Sequence, residues 1–515
     1  MMNTMTNLFI NYHLTLGNSL IAACIILIAS ISCYAIIHVK RSRRRMLMLK
    51  SFNQLPTLPL IGSVHLLAGN TRERVAKMLD ILKTYELPLV AWLMHIPVVF
   101  IGKHSDIQTV MHQTTDKDLL GIFDRLFGGS LLVLQGEKWR RSRRVIFPAF
   151  SPAMMNQYFP VLNEYSALLT NKFESFCDTD EAFDISSCVF ASNLNSTTVN
   201  MTGYELRSRE KEDTDFLDAI SKSLKMESMR FTFPLLFPKI IYEVYLFLSG
   251  SRKTYEVVYQ LPQKIFRKNL TKYTINETYR ENDQDTKTTD TRTLIDSLLK
   301  AHITSTDFTK EQVYAEILDI IIAGYETTSL TSCFVLLMLA MHPDVQEKVY
   351  DEIRTIYENK DQQVQIEDLK KLVYMEQCIN ETIRKFTVTP LTIRTHTEDI
   401  VLNDEQVIPA GCRIFVAFYA AHHDREFFPN ADNWDPEHFA PEKSNHNRPS
   451  FFPFGAGVRS CIGAKYGMMS MKIQLVHLLR RYRLDTDMKM QDIHLVIDLL
   501  LRNDSGYWLK IYSRE

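Results

Sequence analysis

With 515 residues, 46% apolar and 23% charged, the chain can bury a large core. Its 59 basic and 60 acidic side chains leave a net charge of −1, which excludes a global field that would hold it on nucleic acid; an electrostatic partner must be met by a local patch. The eight cysteines (24, 33, 177, 188, 333, 378, 412 and 461) form no C-x-x-C pair, which argues against a zinc knuckle or a disulfide framework.

In chain order, residues 16–37 (LGNSLIAACIILIASISCYAII) carry no charge, and 22 helical residues reach about 33 Å, enough for a bilayer core. The run is too long for the apolar part of a cleaved signal peptide, and no basic segment precedes it. Lys40, Arg41, Arg43, Arg44 and Arg45 follow it, and the positive-inside rule places them in the cytosol. We therefore expect a luminal N-terminus and transmembrane signal anchor over 1–39. A basic stop-transfer segment and a Pro-rich hinge (Pro56, Pro59, Gly62) should fill 40–62, with one domain over 63–515 facing the cytosol. That placement makes the six N-x-[ST] matches, at 195, 200, 269, 276, 380 and 503, chance ones, because glycosylation needs the lumen. The stretch 85–102, rich in Val, Ile, Trp and Phe, predicts a hairpin. Helical periodicity dominates beyond 104, and 281–293 reads as a polar surface loop. Residues 309–341 predict one long helix, apolar nearly all round in its second half and stopped at His342-Pro343. Residues 398–419 alternate like strands around Pro409-Ala410-Gly411. The whole reads as mainly α with small β-sheets.

The most informative segment is Phe454-Gly455-Ala456-Gly457-Val458-Arg459-Ser460-Cys461-Ile462-Gly463. Its glycines permit a tight turn whose backbone can approach a flat cofactor. Successive N–H groups in such a turn, and the helix predicted from Gly463, favour a thiolate at Cys461. Within the long helix, Ala323-Gly324-Tyr325-Glu326-Thr327-Thr328 places a carboxyl and a hydroxyl side by side. The Thr327 hydroxyl can interrupt the helical ladder and hold a water, and Glu326 can pass protons from solvent. Gly324 removes a side chain, which would leave room beside the helix. Trp139 and Arg143 lie one turn apart on one helix face. Glu381 and Arg384 have the spacing of a helical ion pair.

Together these motifs resemble the cytochromes P450, over about residues 55–512: F-x-x-G-x-R-x-C, E-x-x-R, the [AG]-G-x-[DE]-T-[TS] helix and W-x-x-x-R occur in the family's order. The resemblance implies the cytochrome P450 fold and a haem-thiolate monooxygenase, with Cys461 as the axial ligand of the haem iron. Haem b would lie against Phe454, Gly455, Ala323 and Gly324. Its propionates would meet Trp139, Arg143, Arg394 and Arg459, and Glu326 and Thr327 would be catalytic. Glu381 and Arg384 would form a structural triad with His438, which stands where relatives carry arginine. Partners implied are NADPH-cytochrome P450 reductase, drawn to the basic run Arg140, Arg141, Arg143, Arg144, together with cytochrome b5, the endoplasmic reticulum membrane and a hydrophobic substrate. Phe123, Phe127, Phe231 and Phe233 are expected to line its pocket.

EKWRRSRR, RTHTED, NWDPEHFAPE and KYGMMSMK look most like the fourth clan and its insect members, which act on fatty acids, hormones or xenobiotics. Ala323 departs from that clan, where a glutamate esterifies the haem, so the cofactor should be held without that bond. Two alternatives are a haem-thiolate isomerase or dehydratase of peroxides, and a membrane-anchored haem sensor or carrier. The intact Glu326-Thr327 pair argues against the first.

Overall fold

The computed structural model describes residues 44–514 apart from 60, 95, 118–120, 207–210, 234–235, 237, 283–292 and 444–447. The predicted anchor lies outside these residues, as does most of the 281–293 loop. Helices of ten residues or more are α1 (Thr71–Thr84), α2 (His104–Gln113), α3 (Gly136–Ile146), α4 (Pro152–Glu174), α5 (Ser186–Thr202), α6 (Lys211–Thr232), α7 (Lys239–Leu248), α8 (Arg252–Asn282), α9 (Leu294–Thr304), α10 (Lys310–Met341), α11 (Pro343–Ile356), α12 (Val373–Phe386) and α13 (Ala464–Arg481). The chain is mainly helical, as expected.

Strands β1 (Asn53–Gln54), β2 (Leu89–Leu93), β3 (Ile96–Ile101), β8 (Arg413–Ala417) and β5 (Leu391–Thr395) form one mixed sheet in that order. The predicted hairpin is β2–β3, paired antiparallel with Val90 opposite Val99. The alternating 398–419 segment gives the ribbon β6 (Ile400–Val401) with β7 (Val407–Ile408), then β8. A three-stranded sheet joins β4 (Phe183–Asp184), β12 (Trp508–Ser513) and β9 (Tyr482–Asp485), and β10 (Leu495–Asp498) pairs with β11 (Leu500–Asn503).

Helix α10 is the axis of the core. It begins where Thr309 accepts from the Gln312 N–H at 3.3 Å and ends at His342, the residue proline holds out of the helix. It alone among the described helices is long and apolar enough to cross a membrane, but it is buried in the core, packed against other helices. A polar network sets its position. Asn193 of α5 donates to Ser329 at 3.1 Å and accepts from Ser470 and Gln474 of α13 at 3.2 and 2.6 Å. Ser332 of α10 closes the circuit on Gln474 at 3.1 Å. These buried groups satisfy one another across three helices, so the network fixes α13, and the loop leading into it, against α10. Asn200 and Asn503, two of the sequon matches, are buried in the fold.

Candidate active site

The segment before α13 folds as the sequence predicts. Gly455 and Gly457 take left-handed φ of 72° and 67°, which a side chain would strain, and the Cys461 N–H donates to the Phe454 carbonyl at 2.9 Å. A Cβ at Gly457 would sit 2.3 Å from the Met111 carbonyl, so this glycine also lets the loop close on α2. Cys461 lies deep in the fold and yet its side chain is open, so its sulfur faces an internal cleft. Burial pushes the thiol up, while the Gly463 N–H, Arg143 and Lys117 oppose that shift.

A second opening lies on α10. Ala323 is exposed and Thr327 half-buried in the middle of a helix whose residues 320–322 and 328–340 are buried. The Thr327 hydroxyl donates to the Ala323 carbonyl at 2.8 Å, which leaves its oxygen lone pairs to accept. Next to it, Glu326 has one carboxylate oxygen buried without a partner. Burial pushes this acid up to about 7, against the Tyr325 hydroxyl and Arg502. Gly324 requires a correction: its missing Cβ would stand 2.8 Å from Thr197 Cγ2 of α5, so it allows close helix packing rather than opening room in the cleft. On the other face, a Cβ at Gly467 of α13 would be 3.6 Å from Thr328 Oγ1. Both openings therefore lie beside the contact of α10 with α13.

Cations gather at this cleft. Arg143 donates to the Ser460 carbonyl at 3.0 Å, and the buried Trp139 ring carries the Arg459 guanidinium at 4.1 Å and that of Arg143 at 6.0 Å. Arg459 donates to the carbonyls of Thr115 at 2.8 Å, Leu131 at 3.1 Å and Leu134. Arg394, on β5, is 1% exposed and its Nε has no acceptor. Burial lowers Arg394 to about 10, and burial together with Arg394 lowers Arg459 to about 9. Lys117, which sequence reasoning missed, joins them: burial and these two guanidiniums hold it down to about 7. Among the described residues none of the four has a carboxylate within ion-pair distance. A cleft with four cations that no described carboxylate pairs, and an accessible sulfur, fits an anionic, flat, iron-bearing cofactor. Lys117 gave no signal in sequence, because a lysine in TDKDLL is ordinary.

Two further residues were legible but missed, Glu316 and Asp319, charged positions in an otherwise apolar helix. Glu316 accepts from the Leu131 N–H at 2.8 Å and from the Ser142 hydroxyl, and Asp319 accepts from the Leu132 N–H at 2.9 Å. They hold the segment 130–134 from one side while Arg459 holds its carbonyls from the other. Burial raises Glu316 to about 8 and Asp319 to about 6.

Glu381 and Arg384 are both 0% exposed and paired bidentately at 2.7 and 2.7 Å. The remaining Arg384 N–H groups reach the carbonyls of His422, Ala431 and Asn433 at 2.9, 3.0 and 2.9 Å, so all five donors are used. His438 completes the triad differently from an arginine: Nδ1 meets Glu381 Oε1 at 3.2 Å and Nε2 meets the Pro429 carbonyl at 2.7 Å. Both neighbours only accept, so the contacts favour the doubly protonated ring. Burial alone would lower its pKa; the Glu381 carboxylate outweighs this, and the net direction is up. Of the pocket phenylalanines, Phe123 and Phe127 are buried, whereas Phe233 is 45% exposed under Arg74, which removes it from the pocket. The Phe231 side chain lies outside the described residues.

A family model described as cytochrome P450 matches residues 53–510. The chain belongs to the cytochrome P450 family. Among its relatives are cytochrome P450 4V2 of Homo sapiens, 26% identical over 89% of this chain and 88% of that one, and cytochrome P450 4c21 of Blattella germanica, 27% identical over 90% and 94%. Cytochrome P450 4g1 of Drosophila melanogaster is 24% identical over 92% and 91%. All three carry the family-4 designation and two are from insects, the branch the sequence resembles. This P450 is thus an oxidoreductase of the monooxygenase type, and haem iron is its cofactor.

Proposed function

We propose that this P450 inserts one oxygen atom from O2 into a hydrophobic fatty acid, hormone-like lipid or xenobiotic, using NADPH electrons passed by a reductase. The observation that carries the reading is the Glu326–Thr327 pair beside the open face at Ala323. When bound, haem b supplies the activation of O2. The residues supply the rest: Cys461 the sulfur ligand, Lys117, Arg143, Arg394 and Arg459 the charge for two propionates, and Thr327 Oγ1 an acceptor for water. Glu326, poised near neutral pH, can take a proton and give it on. Ala323 has no nucleophile, so the cofactor is held without an ester.

For electron donors, reductase and cytochrome b5, the basic run offers less free charge than its count implies. Arg140 pairs with Glu137 at 3.3 Å and Arg141 with Asp307 at 2.9 Å, which leaves exposed Arg144 and Lys138 as the cations there without an acid partner among the described residues. For residence at the endoplasmic reticulum membrane, with the 63–515 domain in the cytosol, α7 gives support: Ile240, Phe247 and Leu248 are 80, 69 and 77% exposed.

Thr327→Ala tests the reading. NADPH consumption should continue while hydrogen peroxide rises and product falls, by up to ~10²–10⁴ in product rate if the relay is fully lost. Unchanged coupling on a panel of lipids would favour the peroxide isomerase instead.

A further inference from the structure

The far end of α13 borders a second cleft of about 790 Å³, shared with the end of α11, residues 357–361 and the end of β12. The 18 residues of α13 put it about 27 Å along the helix from the end that follows Cys461, so it is separate from the active site. Among the described residues that line it are five cations, Arg354, Lys360, Arg480, Arg483 and Arg514, and two carboxylates, Glu358 and Asp361. Pairing narrows the supply of acid further. Asp361 is engaged from outside the lining by Arg481 at 2.7 Å. The acids beside Arg354 and Arg483 stand only at the limit of an ion pair, Asp351 at 3.9 Å and Asp485 at 4.0 Å. Arg514 is neutralised by Glu347 at 2.7 Å, and it lies 3.8 Å over the Tyr350 ring.

Arg480 is the decisive residue. It is 6% exposed, and among the described residues no carboxylate comes within ion-pair distance of it. Its Nη1 donates to the Gln362 carbonyl at 2.7 Å, its Nε donates to nothing, and its guanidinium lies 5.1 Å over Tyr357. Lys360 donates to the Arg514 carbonyl and has no acid partner among the described residues. A buried cation without a counter-charge is costly, and one placed at the wall of an open cleft can recover that cost from an anion entering it.

We propose that this cleft binds a phosphate-bearing anion. Planar guanidinium forks and an ammonium match phosphate oxygens, and several such cations in one cleft suit a polyphosphate better than a single carboxylate. A soluble phosphate compound and a phospholipid headgroup present the same chemistry.

Calorimetric titration of the full-length, haem-loaded, detergent-solubilised protein with inorganic pyrophosphate tests this. One saturable site per chain is expected, weakening as salt rises. Lys360→Gln and Arg480→Gln should each lower affinity about tenfold, the loss of one charge-assisted hydrogen bond. If Arg480→Gln folds poorly, Lys360→Gln and Arg354→Gln, whose side chains are more exposed, carry the test, and an unchanged thiolate-type carbon monoxide spectrum certifies them. Absence of saturable binding to the parent protein, or equal affinity in the Lys360→Gln/Arg354→Gln double variant, overturns the proposal. Competition by water-soluble dihexanoylphosphatidic acid, stronger than by ATP, assigns the site to lipid headgroups; the reverse order assigns it to soluble phosphates.

Discussion

Cys461 and His438 show how much one position depends on its surroundings. Of the described cysteines, only Cys461 combines a glycine turn, a following helix and facing cations; Cys333, Cys378 and Cys412 are buried small residues. Cys461→Ala should therefore abolish the thiolate-type carbon monoxide spectrum, while alanine at 177, 188, 333, 378 or 412 should leave it in place. His438 makes a different prediction. Its pKa is raised in the folded protein, so the stability it contributes is fully present below the ordinary imidazole value of about 6.5 and is lost as pH rises through the higher folded value. The charge-assisted bond to Glu381 is worth about 1.5–3 kcal/mol. Thermal midpoints measured from pH 6 upward should fall for the parent more steeply than for His438→Arg, which keeps its charge. Equal slopes would show that folding does not raise the His438 pKa.

At the scale of the element, α10 does more than fill the core. Its acids Glu316 and Asp319 receive the N–H groups of 131 and 132, and the carbonyls of 131 and 134 receive Arg459. One strip of backbone is thus clamped between the long helix and the cysteine loop. Glu316→Leu leaves the Leu131 N–H and the Ser142 hydroxyl buried without acceptors, a cost of about 1–3 kcal/mol for each group. The expected outcome is a lowered thermal midpoint for haem release, with a shift in haem reduction potential as Arg459 loosens. Glu316→Gln, which can still accept, should recover most of the stability. A variant whose potential and midpoint match the parent would show that the clamp does not reach the cofactor.

At the scale of the whole molecule, the proposed separation of membrane attachment from chemistry makes a prediction of its own. Deleting residues 1–45 should remove integral membrane insertion but not haem uptake, because the sheets, helices α1–α13 and every residue placed at the cleft lie beyond that segment. Flotation with phospholipid vesicles should still recover part of the truncated protein, held by the apolar face of α7. Adding Ile240→Asp and Phe247→Asp should release most of that fraction without altering the carbon monoxide spectrum. If truncation alone abolished haem binding, the boundary of the 63–515 domain would be misplaced.

The sequence by itself determined the family, the fold class, the long helix and its stop, the β2–β3 hairpin and the cysteine loop. Each of these is carried by local chemistry: a proline that bars helix, glycines that turn, an apolar run that must be buried. It also placed Glu381 and Arg384 correctly on one helix turn. Only the tertiary structure decided what those local units meet. It showed that Gly324 faces Thr197 and not the cleft, that Phe233 lies on the surface, that Arg459 is already held by three carbonyls, and that His438 has an acceptor at each nitrogen. It also brought Lys117 to the arginines, and Arg480 and Arg514 to one cleft with Tyr350. These pairings join residues far apart in the chain, and neither periodicity nor motif spacing carries that distance. A cation's role is set by the acids left around it after folding, a quantity that exists only in three dimensions.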